Sequence, residues 1–368
     1  MNILYISNIS ADIAVGLTWS VPASIKAQRL YDNVLWVNLT NSKMEHWEDT
    51  GVYHCLSEFG KKLCLAILPE PFNCPDVVVF EGFYHLNEVV FSWELRHRKI
   101  PYIINPRGSL TEKALHNHAW FKKWVAHKLF FNKFINKAWK IQYLTQQEAA
   151  DSAKRFKTAN FVIPNGVNIP QRIKESFFVN GLQATYIGRL DIYHKGIDLL
   201  LDAISRIHNE LWNVKFTLNI YGPQKQDYYK IADEVKIRKI DDIVFLHNRV
   251  GGEEKAKVLL QSDVFIMTSR FEGHPMGLIE ALAYGLPCVV TPGTNMAKEV
   301  RNADAGWVSD GSTESIAETL LTVIDEKKVY VKKSKHAREL AKLYDWDELA
   351  KAFHKELMSL NSYKSNYM

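Results

Sequence analysis

The stretch Ser269-Arg270-Phe271-Glu272-Gly273-His274-Pro275-Met276-Gly277-Leu278-Ile279-Glu280-Ala281-Leu282-Ala283-Tyr284-Gly285-Leu286-Pro287 decides the fold. An apolar strand candidate, Asp263-Val264-Phe265-Ile266-Met267-Thr268, leads into it. Pro275 suits the first turn of a helix, where the N–H it lacks would have no partner anyway. Gly285 and Pro287 stop that helix, and Cys288-Val289-Val290-Thr291 restarts a strand. The reading is strand, glycine-bearing loop, short helix, strand. Such a βαβ unit puts its loop at the carboxyl end of a strand, where open parallel sheets bind ligands. Free N–H groups and the dipole at the helix start favour an anion such as a diphosphate. Glu272 lies on the loop, and Glu280 sits about two turns into the helix. Two carboxylates beside an anion-binding turn would oppose phosphate unless they face hydroxyls instead. Diphosphate plus polyol describes a nucleotide sugar.

The 368 residues favour two domains. A hydrophobic content of 47% and a charged content of 24% are those of an ordinary globular protein. Cys55, Cys64, Cys74 and Cys288 show neither CxxC spacing nor histidines at zinc-site intervals, so they read as free thiols in a reducing cytosol. Met1-Asn2-Ile3-Leu4-Tyr5-Ile6-Ser7 reads as a first strand rather than a signal peptide. No apolar run approaches the roughly 20 residues that span a bilayer. The net charge of +5 and the absence of a recognition motif argue against nucleic acid.

The frame S-x-x-E-G-x-P-x-x-x-x-E-A-x-x-x-G-x-P, with a strand on each side, resembles the signature of retaining GT-B glycosyltransferases. Their type is glycosyltransferase family 4, or group 1. The resemblance implies an α/β chain of two Rossmann-like domains facing across a cleft. They would comprise an acceptor domain over 1–168, a nucleotide-sugar domain over 169–346 and a final helix, 347–368, crossing back to the first domain. It is densest from Ile163 to Trp346: Ile163-Pro164-Asn165-Gly166-Val167 resembles the lead-in to the linker, with a hinge near Val167 to Glu175. Ile187-Gly188-Arg189-Leu190 and Lys195-Gly196-Ile197-Asp198 match the family's G-R-L…K-G pattern.

By the same resemblance, Arg189 and Lys195 neutralise the diphosphate, Glu272 contacts the donor sugar and Glu280 holds the ribose. Gly16, Gly188, Asn248, Met276, Gly277, Leu278 and Ile279 complete the donor side. No metal or other cofactor is expected, because side-chain cations and a helix end take the place of Mg²⁺.

Upstream, Pro106-Arg107-Gly108-Ser109-Leu110 resembles a segment of members that build bacterial surface polysaccharide. Arg107 stands where many relatives carry a histidine; a guanidinium there could hold a phosphate or an acidic acceptor, or anchor a helix start. His85 and Ser109 join it as acceptor-side candidates. Ile141 to Glu148 resembles the last strand of the first domain and the helix after it.

From Trp120 to Lys140 lysines interleave with Trp and Phe, and no acid appears between Glu112 and Glu148. That composition suits contact with an anionic membrane face, or a helix with buried aromatics and solvated lysines. The expected activity is transfer of a sugar from a UDP- or GDP-sugar to a hydroxyl of a carbohydrate or lipid-linked acceptor, with retention. The expected place is the cytoplasm, peripherally at the inner membrane face. The alternatives are a non-catalytic subunit of this fold that partners another transferase, and a nucleotide-sugar epimerase.

Overall fold

Val77-Val78-Val79-Phe80 has no polar residue on either face, as a strand must when helices cover both sides of its sheet. In the computed structural model, which describes residues 1–12, 16–110 and 130–360, it lies in the middle of a parallel sheet. The chain divides into two units, Met1–Gly166 with Trp346–Met368, and Val167–Asp345.

In the first unit the strands are β1 (Asn2–Ser7), β2 (Asn33–Asn38), β3 (Tyr53–Cys55), β4 (Val77–Glu81), β5 (Tyr102–Asn105), β6 (Lys140–Tyr143) and β7 (Asn160–Val162). They pair in the order β3-β2-β1-β4-β5-β6-β7. Strand alternation splits the apolar residues between two cores. Leu4, Ile6, Val78, Phe80 and Ile104 face one side, against Phe91, Leu95 and Phe134. Ile3, Tyr5, Val77, Val79 and Ile103 face the other, against Val21, Ile25 and the chain's last described helix, Trp346–Met358. Trp346, Leu349, Phe353 and Leu357 lie on one face of that helix, at the three-to-four spacing that puts an apolar stripe on a sheet. The sheet does not end at β6: Asn160–Val162 adds β7 along it, in a segment the sequence reads only as a lead-in to the linker.

The second unit repeats the plan with β8 (Gln183–Ile187), β9 (Thr217–Tyr221), β10 (Val244–His247), β11 (Val264–Met267), β12 (Cys288–Val290) and β13 (Gly306–Val308). Its order, β10-β9-β8-β11-β12-β13, reverses between β8 and β11 as the first sheet does between β1 and β4. Each unit is therefore a doubly wound, Rossmann-like sheet, and each reversal opens a crevice at the strands' carboxyl ends.

Within the Trp120–Lys140 stretch, residues 120–129 lie outside the described residues. Of the rest, Phe131, Phe134 and Trp139 are buried, Phe130, Lys133 and Lys137 are exposed, and Lys140 pairs with Glu356. This part is an amphipathic core segment, with its inward aromatics committed to packing. No helix among the described residues is long and apolar enough to cross a membrane.

The first unit holds an unpaired buried acid. Glu88, on the helix Leu86–His97, is fully buried, and neither carboxyl oxygen has a hydrogen-bond partner among the described residues. Burial, reinforced by the charge of Glu81, pushes it well above the usual carboxyl range. A carboxyl raised on folding adds stability while the pH is below its unfolded value, and that contribution is lost as pH climbs through the folded value. Glu88→Gln removes the titration, so its gain over wild type should reach about 1 kcal/mol at high pH and vanish in mild acid. Urea titrations at pH 5 and pH 8 check this; an equal difference at both would rule Glu88 out as the source.

Candidate functional site

The reversal between β8 and β11 brings together residues that lie about eighty positions apart in the chain. Gly188 and Arg189 leave β8, and Ser269 to Glu272 leave β11. The turn after Arg189 carries Lys195 and closes at Gly196, which has φ +61 and caps the helix Ile197–Arg206. A Cβ at Gly196 would lie 2.0 Å from the Thr268 carbonyl oxygen, so only glycine lets the lysine turn lie against the end of β11. Lys195 Nζ then donates to Glu272 Oε1 at 2.5 Å, and Ser269 Oγ donates to the same oxygen at 2.6 Å. The two charged side chains are 9% and 10% exposed, so they form a nearly dry pair at the floor of the crevice.

The pair uses one of the lysine's three N–H donors and leaves the others for a ligand. Arg189 is exposed and makes no side-chain hydrogen bond or ion pair among the described residues. His194 feels the whole cluster. Burial first, then the charges of Lys195 and Arg189 against those of Glu272 and Asp191, hold its imidazole below the usual range. The described cation set is thus one committed ammonium and one free guanidinium beside a carboxylate.

The helix Met276–Ala283 supplies the anion-facing end. It packs close to β8: a Cβ on Gly277 would lie 2.8 Å from the Ile187 carbonyl oxygen. Among the described residues, the N–H groups of Met276 and Gly277 have no partner at this helix end. Leu278 and Ile279 depart from expectation. Their side chains are fully buried in the core and their N–H groups bond to the Pro275 carbonyl at 3.0 and 3.2 Å. Neither N–H is left for a ligand, because the capping Pro275 carbonyl already accepts from both. Glu280 meets Lys255 at 2.7 Å, both 26% exposed. Lys255 comes from the helix Gly252–Gln261, and no motif in the sequence ties it to Glu280.

Asn248 and Arg249 are exposed after β10. His247, just before them, stacks on Tyr221 at 4.5 Å and hydrogen-bonds Asn219 at 2.8 Å, and burial holds its pKa low. The His274 ring packs 5.5 Å from that of Tyr344; its Nδ1 has no hydrogen-bond partner among the described residues, and burial pulls the ring down to about 3.

In the first unit, His85 lies at the β1–β4 reversal, with Nδ1 2.9 Å from Asn8 Nδ2. Gly16 caps the helix Leu17–Gln28 in an ordinary right-handed conformation, φ −59, and a side chain there would meet nothing within 4 Å among the described residues. Ser109 closes its own turn on the Pro106 carbonyl at 2.7 Å. Arg107 turns inward. Its guanidinium, 4% exposed, donates to Glu81 at 2.7 Å, Asn165 at 2.5 Å and Ser24 at 3.4 Å. An anchor takes the place of the ligand-facing role expected for it, because three partners inside the unit hold the guanidinium in a nearly dry site. Among the described residues no cluster of three or more His, Cys, Asp or Glu could hold a metal ion.

Known structures share this architecture. HepE of Anabaena bound to UDP superposes with a TM-score of 0.77 at 16% identity, over 98% of this chain and all of that one. Sucrose-phosphate synthase of Thermosynechococcus elongatus gives 0.76 at 16% identity, over 99% and 100%. The fold is GT-B.

The GT-B chain also matches a family in sequence. Residues 169–342, which hold the cluster described above, match the family of glycosyl transferases group 1. Mannosylfructose-phosphate synthase of Agrobacterium fabrum is 25% identical over 187 residues, 49% of this chain and 41% of that protein. The chain spans between about a quarter and two thirds of the length of the curated relatives it matches.

Proposed function

We propose that this chain is a retaining, metal-independent glycosyltransferase of the group 1, family 4 type. It would take a UDP- or GDP-sugar as donor and a hydroxyl of a carbohydrate or lipid-linked molecule as acceptor. The observation that carries the reading is the Lys195–Glu272 pair beside Arg189 and the N-terminus of the helix Met276–Ala283, all at one sheet reversal. Cations and helix N–H groups favour a diphosphate, while the carboxylates of Glu272 and Glu280 accept hydrogen bonds from sugar and ribose hydroxyls. UDP in the superposing HepE structure supports a uridine donor.

In the reaction the acceptor oxygen bonds to the anomeric carbon as the bond from that carbon to the phosphate oxygen breaks. Retention follows if attack and departure share one face, with the leaving phosphate oxygen taking the acceptor proton. Arg189, Lys195 and the Met276 and Gly277 N–H groups stabilise the charge that grows on the departing diphosphate. Glu272 holds the sugar by its hydroxyls. His85, at the corresponding reversal in the first unit, is the proposed acceptor-side contact. The Pro106–Leu110 segment favours a bacterial surface-polysaccharide or glycolipid acceptor, and the exposed Lys133 and Lys137 favour peripheral contact with an anionic membrane.

Thermal unfolding of the full chain with UDP, GDP and their sugars tests the donor site. A nucleotide at about 100 times its dissociation constant should stabilise by about 2.7 kcal/mol, read as a rise in Tm. Glu280→Ala should abolish most of that rise. No shift with any of them would sink the reading, and a shift without sugar transfer to any acceptor would favour a non-catalytic subunit.

A further inference from the structure

We infer that Arg270 is a positioning residue that latches the loop carrying Lys195 to the loop carrying Glu272; this rests on the nucleotide-sugar reading of the site. The two loops leave different strands; the Thr268 hydroxyl donates to the Gly196 carbonyl at 2.9 Å and the His194 and Phe271 rings lie 4.4 Å apart, but neither these nor a flexible lysine makes a two-point bond that sets direction. Arg270 does so through a fork. Its Nη1 and Nη2 each lie 2.7 Å from one oxygen of Asp198, and Nη1 also donates to the Tyr193 carbonyl at 2.6 Å. The guanidinium lies 4.3 Å over the Tyr193 ring, and the Arg270 N–H donates to the His194 carbonyl at 3.0 Å. Asp198 stands in the first turn of the helix Ile197–Arg206, so the fork ties the Glu272 loop to a rigid element just past Lys195.

Among the described residues the hydrogen bonds that Arg270 donates go to Tyr193, His194 and Asp198, and none goes to Lys195 or Glu272 themselves. The Arg270–Asp198 pair is partly exposed, 22% and 32%, so its contribution to global stability is small. Its geometry matters more. A planar, two-point bond fixes direction as well as distance, and loss of that direction moves Lys195 relative to the diphosphate.

The test is a double-mutant cycle read in the dissociation constants of UDP and GDP for the full chain. Arg270→Ala should weaken whichever nucleotide binds about tenfold in the wild-type background, and by less than about twofold when Lys195→Ala is already present. Asp198→Ala should reproduce the first loss, and Arg270→Lys should fail to restore it, since an ammonium cannot form the fork. Equal tenfold losses in both backgrounds would overturn the latch, as would an unchanged constant in Arg270→Ala. Hydrogen exchange without ligand gives a second arm. Exchange of residues 191–198 should rise in Arg270→Ala, and unchanged exchange would also overturn it. If the wild type binds neither UDP nor GDP, the donor reading falls, and the exchange arm still decides whether the latch exists.

Discussion

Lys195→Ala should lower kcat/KM for sugar transfer about a thousandfold, the largest catalytic effect expected of any single change in this chain. Two losses combine. The ammonium that would meet the leaving diphosphate is gone, and Glu272, 10% exposed, is left among the described residues with Ser269 as its side-chain partner at that oxygen. An uncompensated carboxylate at the floor of the crevice would then repel a diphosphate bound there. The double variant Lys195→Ala/Glu272→Ala should therefore be no worse than the product of the two single losses, and better if repulsion is the larger part. Steady-state kinetics with the donor found by thermal shift, run beside unfolding curves, separates chemistry from folding. A Lys195→Ala enzyme within about tenfold of wild type would remove the lysine from the mechanism.

Arg107→Ala should destabilise the first unit by about 3–5 kcal/mol, because it strands Glu81 in a nearly dry site. Glu81 is 2% exposed, and Asn165 and Ser24 lose their donor in the same step. Arg107 also holds φ +51, a left-handed conformation that glycine adopts without cost. Arg107→Gly should accordingly lose about 1 kcal/mol less than Arg107→Ala. Glu81→Gln added to either variant should recover part of the deficit by removing the buried charge. Tryptophan fluorescence in urea follows this unit, since Trp212 and Trp307 are the only two of the chain's ten tryptophans outside it. A loss spread equally over the second unit's unfolding, or one below about 1 kcal/mol, would contradict the anchor role.

The parts that were legible in the sequence are those set by local rules. The apolar run before Ser269 is β11, the strand resuming at Cys288 is β12, and the helix between them begins at Met276, immediately after Pro275. Each follows from a strand period, a proline or a glycine acting within a few residues. What sequence could not give were pairings across long separations. Lys255 meets Glu280 from another helix, and Arg107 reaches Glu81 and Asn165, 26 and 58 positions away. The Lys195–Glu272 contact, 77 positions apart, depends on which strands become neighbours at the reversal. Leu278 and Ile279 show a different limit. A motif marks the helix as a ligand-facing element, but the 3.6-residue turn decides that only its first N–H groups face out. At Phe134 and Trp139 composition pointed two ways, and neighbouring strands took the aromatics into the core.

The last described helix has a temporal consequence. Trp346–Met358 completes a core laid down by β1, β2 and β4, yet the whole second unit is encoded between them. Val167–Asp345 is contiguous and has all its parts once residue 345 is made, whereas the first unit, begun earlier, stays unfinished until the helix Trp346–Met358 follows. During synthesis the apolar face formed by Ile3, Val77 and Ile103 has only part of its native cover, from Val21 and Ile25 of the helix Leu17–Gln28, until Trp346 follows about 180 residues after Gly166. The first unit therefore waits on the second, and in a nascent chain the face that Trp346–Met358 will cover is the one left partly open meanwhile.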